Sequence, residues 1–191
     1  PPVPAGLPQS LASAGRTVVM AVLNVTPDSF SDGGRFLDAD QAIERAMRQV
    51  ELGADLIDVG GESTRPGADR IGVATELSRV LPVVESLAAK GVLVSIDTMR
   101  GEVARAAVAA GAVLVNDVSG GLADDAMLPF VAEAGVPVVL MHWRGHSDRM
   151  HLQTEYPTGV VREVVHELES RLAAAIDAGV RPDRVVLDPG L

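Results

Sequence analysis

Six apolar, β-branched runs divide the chain, and each ends in a polar residue followed by glycine or a turn: VVMAVLNVTPDSFSDGG, DLIDVGGESTRPGA, VLVSIDTMR, AVLVNDVSGG, VPVVLMHW and VVLDPGL. Strands buried on both faces of a parallel sheet read as continuous Val, Ile and Leu runs rather than as alternating patterns. Folds built on such sheets keep their chemistry at the C-terminal ends of the strands. The runs therefore predict one rim that gathers Asn24, Gly60, Asp97, Asn116, His142 and Asp188.

Helical patterns lie between the runs. Ala42, Ile43, Ala46, Met47 and Val50 share a face in a helix expected over 38–53, with Asp38 as its cap, Gln41 three residues on and Gly53 as its stop. A second helix, expected over 74–90, carries Leu77, Val80, Leu81, Val84 and Leu87, and Pro82 should kink it or mark a helix start. Further helices over 100–110, 124–134 and 160–178 complete a β-α unit repeated five times, followed by a sixth strand. Strict alternation of this kind means an α/β fold with a parallel sheet, either open and doubly wound or closed as a (β/α)8 barrel. Neither GxGxxG nor GxxxxGK[ST] follows the first strand, which weighs against a dinucleotide-binding or P-loop protein. Polar residues after nearly every strand favour the TIM (β/α)8 barrel, of which about six strands and five helices are present in this chain. A complete barrel needs eight strands, and two unpaired apolar edges are an aggregation hazard. The expectation is that the barrel continues beyond this sequence or that a partner chain supplies the rest.

At 191 residues and 47% hydrophobic, the chain is long enough for one core and too short for two. Residues 1–16 are rich in Pro, Ala and Ser, lack the charged head and long apolar centre of a signal peptide, and are expected to be a loose leader to a single domain over 17–191. A net charge of -10 argues against nucleic acid or an anionic membrane as partner, so any phosphate must be met by local arginines, glycine loops or a metal. The absence of cysteine excludes disulfides and thiolate metal sites and is compatible with a reducing cytosol. No apolar stretch approaches the roughly 18 residues of a membrane span.

The loop from Asn24 to Gly34 reads most simply as a solvated connection with Asx and Ser turns. Two residues point further. Asn24 ends a strand, where a carboxamide can ligate a hard cation, and Phe30 lies in a hydrophilic loop, where an aromatic suits a lid over a flat ligand. Gly60 to Ala68 reads as an anion clamp, with glycines for close backbone approach, a hydroxyl from Thr64 and a planar fork from Arg65; the plainer alternative is a Pro-Gly turn with a surface arginine. Asp97, Asn116 and Asp188 end three different strands, and carboxylates at such depth are costly unless paired. A helix-capping role is the usual alternative, but Thr98 is itself a competent cap. Two carboxylates and an amide converging on one axis suit a flat heterocycle with several N–H donors along one edge. Met141 reads as core, His142 as a satisfied rim histidine and Trp143 as the cover of a loop. His146, Asp148 and His151 are too irregularly spaced to carry a metal site, and nothing in the sequence chooses among Asp28, Asp32 and Glu62 as acid or base.

In order, NVTPDSFSDGG, GESTRPGA, SIDT, NDVSGG, MHW and DPG closely resemble the dihydropteroate synthase family, from about Val19 to the last residue. The resemblance implies a (β/α)8 barrel that condenses 6-hydroxymethyl-7,8-dihydropterin diphosphate with 4-aminobenzoate, giving 7,8-dihydropteroate and diphosphate in folate biosynthesis. It also implies a cytoplasmic homodimer and a sulfonamide target. Carried over by position, Asn24 would ligate Mg²⁺, and Thr64 with Arg65 would meet the diphosphate. Asp97, Asn116 and Asp188 would hydrogen-bond the pterin, Val118 and Met141 would line it, and Phe30 and Pro66 would border the aminobenzoate pocket. Catalysis would rest on Asp97, Asp188 and Arg65, by offsetting the charges that develop as diphosphate leaves. Beyond DPG the family continues through Gly-Phe-Gly-Lys-like, Ser-Arg-Lys and Arg-x-His segments that this sequence does not contain. Two other readings are a pterin-binding methyltransferase barrel of the methyltetrahydrofolate type, which needs no diphosphate clamp, and a catalytically silent pterin-binding fragment.

Overall fold

The computed structural model describes residues 4–26, 35–63, 70–145 and 155–190. Its strands are β1 (Met20–Asn24), β2 (Leu56–Gly60), β3 (Val94–Asp97), β4 (Leu114–Asp117), β5 (Val138–Met141) and β6 (Val185–Asp188). The helices are a short α1 (Gln9–Ala12), then α2 (Arg35–Glu51), α3 (Val73–Ala89), α4 (Gly101–Ala109), α5 (Met127–Ala134) and α6 (Val160–Asp177). All neighbouring strands are parallel, and they lie side by side in chain order from β1 to β6. A doubly wound sheet reverses its strand order at a switch point. This sheet has no reversal, so it winds in one direction as a barrel does, with β1 and β6 as its edges.

Residues two apart in a strand face the same way, which divides the sheet into two surfaces. Leu23, Ile57, Val59, Val94, Ile96, Val115, Val138 and Leu140 join the main core with Val80, Val84, Leu87, Val103, Ala107 and Val131 from the helices. The intervening positions face the other way. Toward the N-terminal ends of the strands this inner surface is apolar, with Leu56, Leu114 and Val139 buried against Leu7, Val18, Leu93 and Val186. One to two residues further along, it becomes polar.

The described part of the segment before β1, residues 4–19, packs against the sheet. Leu11 is 3% exposed, and Leu7 joins the apolar cluster under the sheet. The Ala5 N–H donates to the Asp183 carbonyl at 2.7 Å, and the Arg16 guanidinium grips both oxygens of Asp55 at 2.6 and 2.7 Å. Leu7 and Leu11, four residues apart, cover the N-terminal mouth of the inner surface, which the composition of the segment concealed.

Helix boundaries differ from expectation for local reasons. Helix α2 begins at Arg35, so Asp38 lies within it rather than at its cap. Helix α3 runs unbroken through Pro82, which is exposed, so the ring faces solvent. Helix α5 begins at Met127 because Asp124 is engaged elsewhere: its Oδ2 accepts the Gly101 N–H at 2.7 Å, capping α4 from outside, while Oδ1 accepts the Ala126 N–H at 2.9 Å.

Strand β4 ends in a turn built on the buried carboxylate of Asp117. Oδ1 accepts the Ser119 N–H at 2.8 Å and the Ser119 hydroxyl at 2.6 Å, and Oδ2 accepts the Gly121 N–H at 2.8 Å. Gly120 and Gly121 have φ of 62° and 81°, a conformation that glycine adopts without the Cβ penalty. Burial pushes the Asp117 carboxyl up, and the bonds from Ser119 and Gly121 oppose that rise. Replacing Asp117 with Ala leaves two N–H groups without their acceptor and is expected to cost about 2–4 kcal/mol. Urea denaturation measures this, and an unchanged midpoint would mean that the turn is held by other contacts.

Candidate active site

Strand register places Asn24 beside Gly60, Gly60 beside Asp97, and Asp97 beside Asn116, one line across four strands on the inner surface near the C-terminal rim. Asn24 is exposed, whereas Asp97 and Asn116 are half-buried. Glycine at position 60 makes room for its neighbour, since a Cβ there would stand 3.0 Å from Asp97 Oδ2. Burial pushes the Asp97 carboxyl well above the usual carboxylate range, and the charges of Asp58, Glu76, Asp117 and Glu62 raise it further. Asp97 is thus desolvated, surrounded by like charge and set on the rim, the combination that marks a functional carboxylate.

Beneath this line sits a polar layer that the sequence reading missed. Asp58, 3% exposed, lies two residues before Gly60 and so on the same surface, with Ser95 as its register partner on β3. Its Oδ2 accepts a hydrogen bond from Asn116 Nδ2 at 2.8 Å. Burial pushes the Asp58 carboxyl up, while the neighbouring dipoles of Ser95 and Asn116 favour the ionised form. Among the described residues, Asp58 Oδ1 and Ser95 Oγ find no well-formed hydrogen bond.

On the helix side, Thr98 turns away from the rim. Its hydroxyl donates to Glu76 Oε1 at 2.6 Å and accepts the Arg100 N–H at 3.2 Å, so it joins a buried network as well as the start of α4. Glu76 is 1% exposed, and Arg100 pairs with both Glu76 and Glu62 while donating to the Ile71 carbonyl at 2.7 Å. Glu62 therefore serves as an ion-pair partner that ties the chain on one side of residues 64–69 to the chain on the other.

On β5 and β6, Met141 and Asp188 are register partners, and each follows by two residues an inward valine, Val139 or Val186. Asp188 Oδ1 accepts the Gly190 N–H at 2.8 Å. The Met141 side chain is half-buried, as is Val118 just beyond β4. His142 is satisfied as expected: its Nε2 lies 2.8 Å from Glu167 Oε2, and Arg144 bridges Glu167 and Glu163 behind it. Phe30, Thr64, Arg65 and Pro66 lie outside the described residues, as do Asp28, Asp32, His146, Asp148 and His151. Among the described residues no three His, Cys, Asp or Glu side chains converge to hold a metal, and no helix is long and apolar enough to cross a membrane.

A one-directional α/β sheet whose inner rim carries carboxylates and a carboxamide on neighbouring strands defines a barrel-type fold with a polar C-terminal rim. Residues 20–191 match the family model described as pterin binding enzyme, and the chain belongs to that family. It is 55% identical over 177 residues to the dihydropteroate synthase of Mycobacterium leprae, covering 91% of this chain and 61% of that protein. Among solved structures, Yersinia pestis dihydropteroate synthase with a sulfonamide drug complex superposes with a TM-score of 0.86 at 39% identity, covering 98% of this chain and 67% of that one. Xanthomonas albilineans dihydropteroate synthase in complex with 7,8-dihydropteroate gives a TM-score of 0.79 at 44% identity, covering 92% and 61% respectively. The chain thus spans about three-fifths of the length of the Mycobacterium relative.

A raised carboxyl pKa carries a sign. Below about pH 4 Asp97 is protonated in both folded and unfolded chains, and as pH rises the unfolded chain releases the proton first, so stability falls until the folded carboxyl also ionises. Replacing Asp97 with Asn removes that loss. Thermal melts from pH 4 to pH 8 should show the variant gaining on the wild type as pH rises, and a variant that loses ground over the same range would contradict the desolvated placement. Replacing Gly60 with Ala crowds Asp97 Oδ2 and is expected to cost about 1–3 kcal/mol of stability; urea denaturation reads this directly, and an unchanged midpoint would mean that Asp97 gives way freely.

Proposed function

We propose that this chain carries the pterin half of a dihydropteroate synthase site, and that the protein condenses 6-hydroxymethyl-7,8-dihydropterin diphosphate with 4-aminobenzoate in folate biosynthesis. The observation that carries the reading is the side-by-side placement of Asp97 and Asn116 on the inner rim. They are buried enough to hydrogen-bond strongly and open enough to meet a ligand. The 7,8-dihydropteroate bound by the Xanthomonas albilineans relative supports it.

In this reading Asp97, Asn116 and Asp188 hold the donor-rich edge of the pterin, with Val118 and Met141 against its faces. The C–O bond from the pterin methylene to diphosphate breaks, and its electron pair stays with the departing diphosphate. The amine nitrogen of 4-aminobenzoate forms the new C–N bond, and the proton it sheds passes to solvent. Fixed negative charge at Asp97 and Asp188 offsets the positive charge that develops on the pterin, an effect that is strong where water is excluded. Thr64 and Arg65 are assigned to the diphosphate, and Phe30 and Pro66 to the aminobenzoate. The exposed carboxamide of Asn24 fits Mg²⁺, which takes few protein ligands and fills its shell with water and substrate phosphate oxygens. When bound, such an ion supplies charge neutralisation for the leaving group. A cytoplasmic homodimer belongs to the same proposal. The exposed Val160, Val161 and Val165 on α6 support an apolar contact between subunits.

Diphosphate release in the presence of both substrates tests the reading. Turnover is expected to require both, and Asp97→Asn should lower kcat by about a hundredfold or more, the range seen when one preorganised electrostatic group is removed. Near-normal turnover in that variant, or a wild-type chain that does not bind 6-hydroxymethylpterin, would overturn it.

A further inference from the structure

We propose that Asp58 is a positioning residue that fixes the Asn116 carboxamide with its oxygen toward the ligand, so that the floor of the site offers hydrogen-bond acceptors. A carboxamide has a donor on one side and an acceptor on the other, whereas a carboxylate only accepts. Asn116 Nδ2 is engaged by Asp58 Oδ2 at 2.8 Å, so Asn116 Oδ1 must face away from it. The reverse orientation would set two acceptors against each other beside Asp58, which is 3% exposed, where little solvent relieves the repulsion.

The strand order shows how this contact is made. Asp58 is on β2 and Asn116 on β4, with β3 between them. The intervening inward residue is Ser95, register partner of Asp58, which is small and fully buried. A larger residue there would stand in the path of the Asp58 side chain toward β4.

The inference deepens the proposed function, since it assigns the pocket its preference for a ring edge of N–H donors and rests on that reading for the identity of the ligand. Its test exploits the reciprocity of the pair. In D58N the new amide can donate to Asn116 Oδ1, which turns Asn116 Nδ2 toward the ligand. In the exchanged pair D58N/N116D, the amide now on β2 donates to one oxygen of the carboxylate now on β4, and the other oxygen of that carboxylate again faces the pocket. Titration with 6-hydroxymethylpterin should weaken at least about tenfold in D58N and recover to within about threefold of wild type in the exchanged pair. Equal affinity in D58N, or no recovery in a folded exchanged pair, would refute the positioning role.

A second readout needs no ligand. The side-chain NH₂ resonances of Asn116, identified by their loss in N116D, should exchange slowly with solvent in the wild-type chain and at least about tenfold faster in D58A. Equal exchange rates overturn the inference. Exchange that depends on Asp58 in a chain that does not bind 6-hydroxymethylpterin upholds the positioning and counts against the proposed function alone.

Discussion

Two carboxylates on adjacent parallel strands, Asp58 and Asp97, stand on the inner surface of a largely apolar sheet, and most of the local architecture follows from keeping them there. Burying a charged oxygen is unfavourable unless hydrogen bonds replace the lost water. Asp58 meets this with the Asn116 amide. Among the described residues Asp97 has no comparable donor, only the room left by Gly60 and several like charges. The site therefore holds one carboxylate that is internally satisfied and one that is desolvated and best satisfied from outside. A ligand with N–H donors supplies what the fold withholds.

Around this interior pair the polar groups divide by strand parity. Residues that face the helices, such as Thr98 and Asp117, are absorbed by internal networks: Thr98 with Glu76 and Arg100, and Asp117 with Ser119 and Gly121. Those on the inner surface, Asn24, Asp97, Asn116 and Asp188, point to the rim. The same spacing explains why Leu7 and Leu11 lie over the bottom of the inner surface beside Leu56, Leu114, Val139 and Val186, since the inward residues there are apolar and need a cover. Stability is thus concentrated on the helix face and the N-terminal mouth, and binding capacity on the C-terminal rim.

Much of this was legible in the sequence. Continuous Val/Ile/Leu runs between amphipathic segments gave the six parallel strands, and a polar residue at the end of a run located Asp97 and Asp188. Asp58 and Ser95 escaped because each interrupts an apolar run without ending it, and a run buried on both faces does not reveal which positions point inward. The visible trace was a polar residue two positions before a strand end, in DLIDVGG and VLVSID. Register between strands was needed to turn that trace into a contact between β2 and β4. The packed leader was hidden for another reason: its Pro and Ala content resembles a linker, and only the apolar pair Leu7 and Leu11 indicated a surface to be covered.

The central claim is that Asp97 and Asn116 form the floor of a pterin site. A crystal structure of this chain soaked with 6-hydroxymethylpterin tests it most directly. The account predicts ring nitrogens within hydrogen-bond distance of Asp97 and of Asn116 Oδ1, with the Asn116 to Asp58 bond intact. A ring bound elsewhere, or an Asn116 amide turned so that its nitrogen faces the ring, would contradict it.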